Sequence, residues 1–369
     1  MMDRAQLVVV GAGSAGVSAA IEAASLGIRV TLVDENPLDL SMMGLDIPLY
    51  FGQRMMPTVR DRGLMLQRMV SSNELLGVAQ KRGVEVLLGT YVWGSFRNQE
   101  NSRQIERPVL GLGDEERSWL LEYDRLILAT GARDLVLGFP GRDLAGVMGA
   151  SAALSLMNRY QALTSKRMVV LGSGELGMLT AWRAMEQGIQ VVAIVDVWPT
   201  VRAHGETREK LEARGSPFYT SHTAKEARGY REVDSIVISR VDDAFRPIDG
   251  SEEELECDTV CLAMGLVPNV ELLYLTGCHL SFSHELGGFV PSRDERMRTS
   301  VEGVYIVGDA GGVHEGMASN SAIAIDQGRL AGIAVAESLG ALDKDRAASY
   351  IKELSPSLEV PERDSTAEY

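Results

Sequence analysis

Two stretches of the chain are near copies of one another: LVVVGAGSAGVSAA at Leu7–Ala20 and MVVLGSGELGMLTA at Met168–Ala181. Each is a short apolar run, then three glycines spaced Gly-x-Gly-x-x-Gly, then a segment rich in small helix-forming residues. A second apolar run follows each copy, IRVTLVDE after the first and IQVVAIVD after the second. Strand, glycine turn, helix and strand in this order predict a βαβ unit with a parallel sheet, here written twice. Leu7 and Met168 are too far apart for a solenoid period, so the repeat is one of domains.

The glycines carry a physical reading. Gly11 and Gly172 permit the tight turn out of the strand. Gly13 and Gly174 let the backbone approach a pyrophosphate, and Gly16 and Gly177 let the helix pack against the sheet. The helix then turns its unpaired N–H groups and positive dipole end toward the phosphates. An acid closes the second strand of each unit, Asp34 (followed by Glu35) and Asp196, where it can accept hydrogen bonds from a ribose 2′-OH. Asp196 favours NAD over NADP, because a 2′-phosphate would meet a like charge, while nearby Arg202 keeps NADP open. Glu175 puts a carboxylate on the first turn of the second helix, either as an outward N-terminal charge or as a partner for a nicotinamide-side group.

The rest of the chain arranges itself around these units. Val84–Tyr123 reads as short strands with polar turns, a β-meander, leading to LILATG; ECDTVCLAMGLVPN closes the second unit as YDRLILATGARD closes the first. A further strand lies in GVYIVGDAGG, and SAIAIDQGRLAGIAVAESLG reads as a helix with small residues inward. The expected fold is α/β, with two Rossmann-like three-layer domains of parallel sheet, helices and β-meander, the second inserted in the first. Residues 1–133 plus 290–340 would form the discontinuous first domain, 165–269 the inserted one, and 341–369 a polar tail.

A chain of 369 residues, 45% hydrophobic, suffices for two packed domains. A net charge of −15 argues against nucleic-acid or anionic-membrane binding through bulk electrostatics. The first strand begins by Leu7, leaving no room for a signal peptide, and every apolar run is interrupted before it could span a bilayer, so a cytoplasmic protein is expected. Cys257, Cys261 and Cys278 offer neither a CxxC pair nor the four thiolates of an iron–sulfur cluster; Cys257 and Cys261 read as buried strand residues. The histidines at 204, 222, 279, 284 and 314 form no ligand spacing, and no metal is expected.

GAGSAG with Asp34, ATG at Ala129–Gly131, GSGELG with Asp196, MGLVPN at Met264–Asn269 and GVYIVGDAGG at Gly303–Gly312 together resemble the flavoproteins with two dinucleotide-binding domains, the class of the pyridine-nucleotide disulfide reductases. The resemblance covers residues 5–340. It implies FAD in the first domain, held by Gly11, Gly13, Ser14, Ala15, Gly16, Asp34, Glu35, Ala129, Thr130, Gly131, Gly308 and Asp309. It implies NAD(P)H in the inserted one, held by Gly172, Gly174, Glu175, Leu176, Gly177, Asp196 and Gly265. Asp309 matches the aspartate that bonds the ribityl and pyrophosphate region. FPGRDLAGVMGASAAL, VCLAMGLVPNVELLYLTGC and GGFVPSRDERMRTSVEGVYIVGD look like the FAD/NAD subunits of heteromeric amine and amino-acid dehydrogenases, the group of octopine and nopaline oxidases, hydrogen cyanide synthase and sarcosine oxidase. Two departures matter. The redox cysteines of a disulfide reductase are missing, and so is the cysteine-rich C-terminal extension many such α subunits carry for an iron–sulfur cluster.

Hydride transfer between nicotinamide and flavin needs alignment more than an acid or base. GLDIPLYFGQRMM (44–56) and GGVHEGMASN (311–320) follow strand ends of the first domain and are expected around the flavin ring. Among them His314 and Glu315 could tune or protonate the flavin or stand in solvent, and Arg54 could stabilise reduced flavin or pair with a surface acid. Met42, Met43, Met55, Met56, Met65 and Met69 crowd one region, as packing or as a docking surface for a second polypeptide. The sequence thus points to an α-type subunit of a heteromeric amino-acid or amine dehydrogenase, working with a second flavoprotein subunit; if an iron–sulfur cluster takes part, another chain must supply it. The alternatives are a stand-alone NAD(P)H-dependent reductase of quinone or oxygen and a non-catalytic subunit that holds nucleotides.

Overall fold

The computed structural model describes residues 3–35, 74–98, 105–159, 162–203, 205–314 and 321–354. The chain opens with β1 (Asp3–Val10), α1 (Ser14–Ser25) and β2 (Val30–Asp34). Then come α2 (Glu74–Lys81), β3 (Glu85–Leu88), β4 (Tyr91–Phe96), β5 (Val109–Gly113) and the long β6 (Ser118–Leu128). β3, β2, β1 and β6 lie side by side and parallel, and β5 and β4 continue the sheet antiparallel beyond β6. β6 is long enough to do both jobs: residues near Leu121 pair with β5, while Arg125–Leu128 stand beside the C-terminal half of β1. Its last residues, Leu126–Leu128, are apolar because both faces are buried, Ile127 in the core with α1 and Leu126 and Leu128 in the core with β5.

β7 (Ala132–Asp134) leads the chain into a second unit, residues 133–266, and β16 (Leu266–Pro268) leads it back; the two passages pair as a two-stranded sheet. Between them run β8 (Val147–Gly149), α3 (Ala150–Leu154), β9 (Arg167–Leu171), α4 (Glu175–Glu186) and β10 (Gln190–Val195). α5 (Glu206–Ala213), β11 (Phe218–Tyr219), β12 (His222–Gly229), β13 (Val233–Arg240), β14 (Glu253–Glu256) and β15 (Thr259–Leu262) complete the unit. β11, β10, β9, β15 and β8 form its parallel sheet, and β12, β13 and β14 form an antiparallel meander. Val169, Val195, Ile236, Ile238 and Val260 share the core between sheet and meander. ECDTVCLAMG is therefore not one strand: Cys257 sits in the turn between β14 and β15, where the chain changes sheet, and Cys261 lies inside β15.

After the return come α6 (Glu271–Thr276), the hairpin of β17 (Leu280–Ser283) and β18 (Gly288–Pro291), β19 (Val304–Ile306), α7 (Ser321–Ser338) and α8 (Lys344–Leu354). β19 pairs parallel with β6, completing the strand order β3-β2-β1-β6-β19. α7 lies on α1 at a separation only glycine allows, since a Cβ on Gly328 would stand 2.1 Å from the Ala15 carbonyl oxygen. The return at Val267 is earlier than the expected 290, because α6 packs on β4, with Thr276 Oγ1 donating to Ser95 Oγ at 3.0 Å and Leu273 buried in the β6 core. Likewise 133–164, outside the expected inserted domain, joins the second unit by pairing β8 with β15. The segment from 341, expected as a polar tail, carries α8, whose Ala347, Ile351 and Leu354 reach the same core as α1 and α7.

Candidate functional site: two nucleotide-binding turns

The two glycine turns take the same backbone form. Val10 ends β1 and Leu171 ends β9; the next residues, Gly11 and Gly172, have φ of 106° and 114° and donate their N–H groups to Val33 O at 2.8 Å and Val195 O at 2.7 Å. A side chain at either position would strike a neighbouring carbonyl: a Cβ would lie 2.1 Å from Ala129 O at Gly11 and 2.3 Å from Ala263 O at Gly172. Glycine is required by both conformation and space. Ala129, Thr130 and Gly131 follow the end of β6 beside the first turn, as Ala263, Met264 and Gly265 follow β15 beside the second. These are the points where each parallel sheet reverses its strand order, the place where open α/β sheets bind ligands.

The third glycines set the helices down. A Cβ on Gly16 would lie 1.9 Å from Gly11 O, and one on Gly177 2.0 Å from Gly172 O. The middle glycines behave oppositely: nothing stands within 4 Å of a Cβ built on Gly13 or Gly174, and neither side chain nor strain explains a glycine there. Each precedes a helix, α1 or α4, with no side-chain cap on the first turn, and Gly13 and Ser14 are exposed. Open space before uncapped N–H groups fits a diphosphate group. Ala15 is buried under Gly308, whereas Glu175 and Leu176 of α4 are half-buried.

The acids at the strand ends tie down the turns. Ala12 N–H donates to Asp34 Oδ2 at 2.6 Å, and Ser173 N–H donates to Asp196 Oδ2 at 2.6 Å. In the second turn the Ser173 hydroxyl adds a 2.6 Å bond to the same oxygen and accepts the Arg202 N–H at 3.0 Å, while Trp198 N–H donates to Asp196 Oδ1 at 3.1 Å. Asp34 is half-buried and Glu35 exposed; Asp196 is 9% exposed. The Arg202 guanidinium stands 5.8 Å from the centre of the Trp198 ring.

Gly308, Asp309, Ala310 and Gly311 form a 3-10 turn directly after β19. Gly308 N–H donates to Gln327 Oε1 of α7 at 2.8 Å, and a Cβ on Gly308 would meet the Ala15 Cβ at 3.2 Å, so this turn sits over the start of α1. Burial raises the pKa of Asp309. Among the described residues no group donates a hydrogen bond to its carboxylate, and burial disfavours its charged form. His314 follows. Burial first, then the Arg293 cation, lower its pKa, so the imidazole is neutral at pH 7 and can share but not carry a proton there.

Arg54 and Glu315 lie outside the described residues, as do His204, the six methionines between 42 and 69, and the segments 44–56 and 315–320. Ser173, Gln327 and Arg293 were not singled out by the sequence. Gln327 alone left a signal there, as a polar side chain on the small-residue face of a helix.

A family of pyridine nucleotide-disulphide oxidoreductases matches residues 5–337. An opine oxidase subunit of Rhizobium meliloti is 26% identical over 94% of this chain and 65% of its own length. Hydrogen cyanide synthase subunit HcnB of Pseudomonas aeruginosa is 24% identical over 89% of this chain and 70% of its own. The chain thus spans about two thirds of the length of the relatives it matches. Among solved structures, the thioredoxin reductase of T. acidophilum superposes with a TM-score of 0.64 at 20% identity, covering 91% of this chain and 99% of that one. No helix among the described residues is long and apolar enough to cross a membrane. With both glycine turns, both strand-end acids and the Asp309 turn inside the matched span, the chain belongs to the pyridine nucleotide-disulphide oxidoreductase family of FAD- and NAD(P)-dependent flavoproteins.

Proposed function

We propose that this chain moves electrons between NAD(H) and FAD, as the α-type subunit of a heteromeric amino-acid or amine dehydrogenase. The observation that carries the reading is the doubling of the turn: two glycine loops with the same close approach at Gly11/Ala129 and Gly172/Ala263, each opening onto an uncapped helix. The first loop, with Asp34, Thr130 and Asp309, would hold FAD; the second, with Asp196 and Gly265, would hold the nicotinamide nucleotide. Bound FAD supplies the two-electron acceptor for a nicotinamide hydride. The chain's own part is to fix both diphosphates on helix ends and to set Asp309 at the flavin's hydroxylated chain. His314, neutral at pH 7, would stand by the ring as a hydrogen-bonding group. Asp196, held by Ser173 and Trp198, supports NAD over NADP, since a 2′-phosphate beside a carboxylate would meet a like charge.

Disulfide reduction is not part of the proposal. All three cysteines are buried, and burial pushes the Cys261 and Cys278 thiols up, away from the reactive thiolate. The relatives named as subunits, one of an opine oxidase and one of a hydrogen cyanide synthase, support a partner chain that oxidises the substrate. The testing experiment is an anaerobic visible spectrum of the purified chain before and after one equivalent of NADH. A flavin band that bleaches supports the reading; a band indifferent to NADH, or a colourless protein, removes it.

A further inference from the structure

Three arginines stand within six residues of the segment SRDERMR between β18 and β19, and their surroundings differ. Arg296 bonds Glu337 of α7; Arg298 lies 3.9 Å from both Glu337 and Asp294. The acids of this neighbourhood are thereby used. Arg293 has no acid partner among the described residues. Its hydrogen bond there runs from Nη1 to the Met297 sulfur at 3.2 Å, a weak acceptor, and burial lowers its pKa with no acid acting in the other direction.

The position of the guanidinium is specific. A Cβ on Gly311 would stand 3.3 Å from Arg293 Nη1, so the cation packs against the turn that carries Asp309. Its field reaches His314, three residues further on. The backbone of Arg293 is fixed by a bridge to Thr299, with Asp294 accepting the Arg296 and Arg298 N–H groups at 2.9 Å, so the side chain is presented from a braced loop. A half-buried cation with unused donors and no counter-ion among the described residues is unfavourable by itself, and becomes favourable once an anion arrives. Guanidinium suits diphosphate or a planar anionic ring edge better than ammonium does.

We propose that Arg293 is the counter-charge for an anionic part of the flavin nucleotide, either its diphosphate or the ring that gains negative charge on two-electron reduction. The inference rests on the FAD reading above. The test compares wild type with Arg293→Met and Arg293→Lys by three readouts: melting of the FAD-free protein, FAD affinity by flavin fluorescence, and the two-electron midpoint potential. Because the variant removes an uncompensated charge, FAD-free Arg293→Met should melt no lower than wild type. If diphosphate is the partner, FAD affinity falls about tenfold or more with the potential unchanged. If the reduced ring is the partner, affinity for oxidised FAD holds and the potential falls by about 30 mV for each tenfold loss of affinity for reduced flavin. Arg293→Lys should recover part of either loss. Arg293→Met with wild-type affinity and potential overturns this assignment alone, and so does a lower FAD-free melting point as the sole change. A wild-type protein that binds no FAD overturns the FAD reading and this inference together.

Discussion

At Asp309 the charge of one residue separates the ligand-free protein from the loaded one. Burial raises its pKa, so between the unfolded value of about 3.9 and the higher folded value the native state binds more protons than the unfolded chain. Stability of the FAD-free protein therefore declines as pH rises through that window, and the penalty is complete above the folded pKa. Asp309→Asn has no charge to bury, so urea denaturation of the FAD-free variant should show it more stable than wild type at pH 7, with the advantage shrinking toward pH 4. Its FAD affinity should fall, because an amide is a weaker acceptor for a hydroxyl than a carboxylate. A variant less stable than wild type at pH 7 would mean the carboxylate already has its donor within the protein. Asp309 was legible in the sequence because a strand, Gly-Asp and a glycine pair are all local. Arg293 was not: its meaning depends on where Arg296 and Arg298 find their acids across the fold.

Among the elements, those with a full local signal are legible in the sequence. β1, α1, β2, β9, α4 and β10 have clean apolar periods bounded by glycines, and α7 carries the small residues that its contact with α1 demands. β8 is not legible, because its three residues, Val147–Gly149, have no period of their own and become a strand only by pairing with β15. α8 escapes for a different reason. The segment is polar overall, and its single apolar row of Ala347, Ile351 and Leu354 counts for little until α1 and α7 stand opposite. If that row is structural, Ile351→Ala should cost about 2–4 kcal/mol in chemical denaturation. A change within about 0.5 kcal/mol would return α8 to the status of an ornament on the surface.

For the whole molecule, the two turns should fail independently. Gly13 and Gly174 have ordinary backbone angles, φ −68° and −74°, and open space where a side chain would project. Glutamate at either position should therefore fold normally while filling and charging the place meant for phosphate. Gly13→Glu should purify colourless, and Gly174→Glu should purify yellow yet stay unbleached by NADH; circular dichroism confirms that both are folded. A Gly174→Glu protein still reduced by NADH at the wild-type rate would detach the second turn from the nicotinamide nucleotide. The interruption of the first unit has a consequence for how the protein is made. Residues 133–266 are contiguous, whereas the first unit lacks β19 and the α7 that covers α1 until after residue 338 has been synthesised. On the ribosome, where domains fold as they emerge, the inserted unit can complete its core while the amino-terminal strands still wait. Thr130 and Asn269 then fasten the ends, Thr130 Oγ1 donating to Asn269 O at 2.8 Å and Asn269 Nδ2 to Thr130 O at 2.9 Å. The part of the chain translated first is thus the part finished last, because the β1–α1 turn waits for packing partners that lie beyond residue 300.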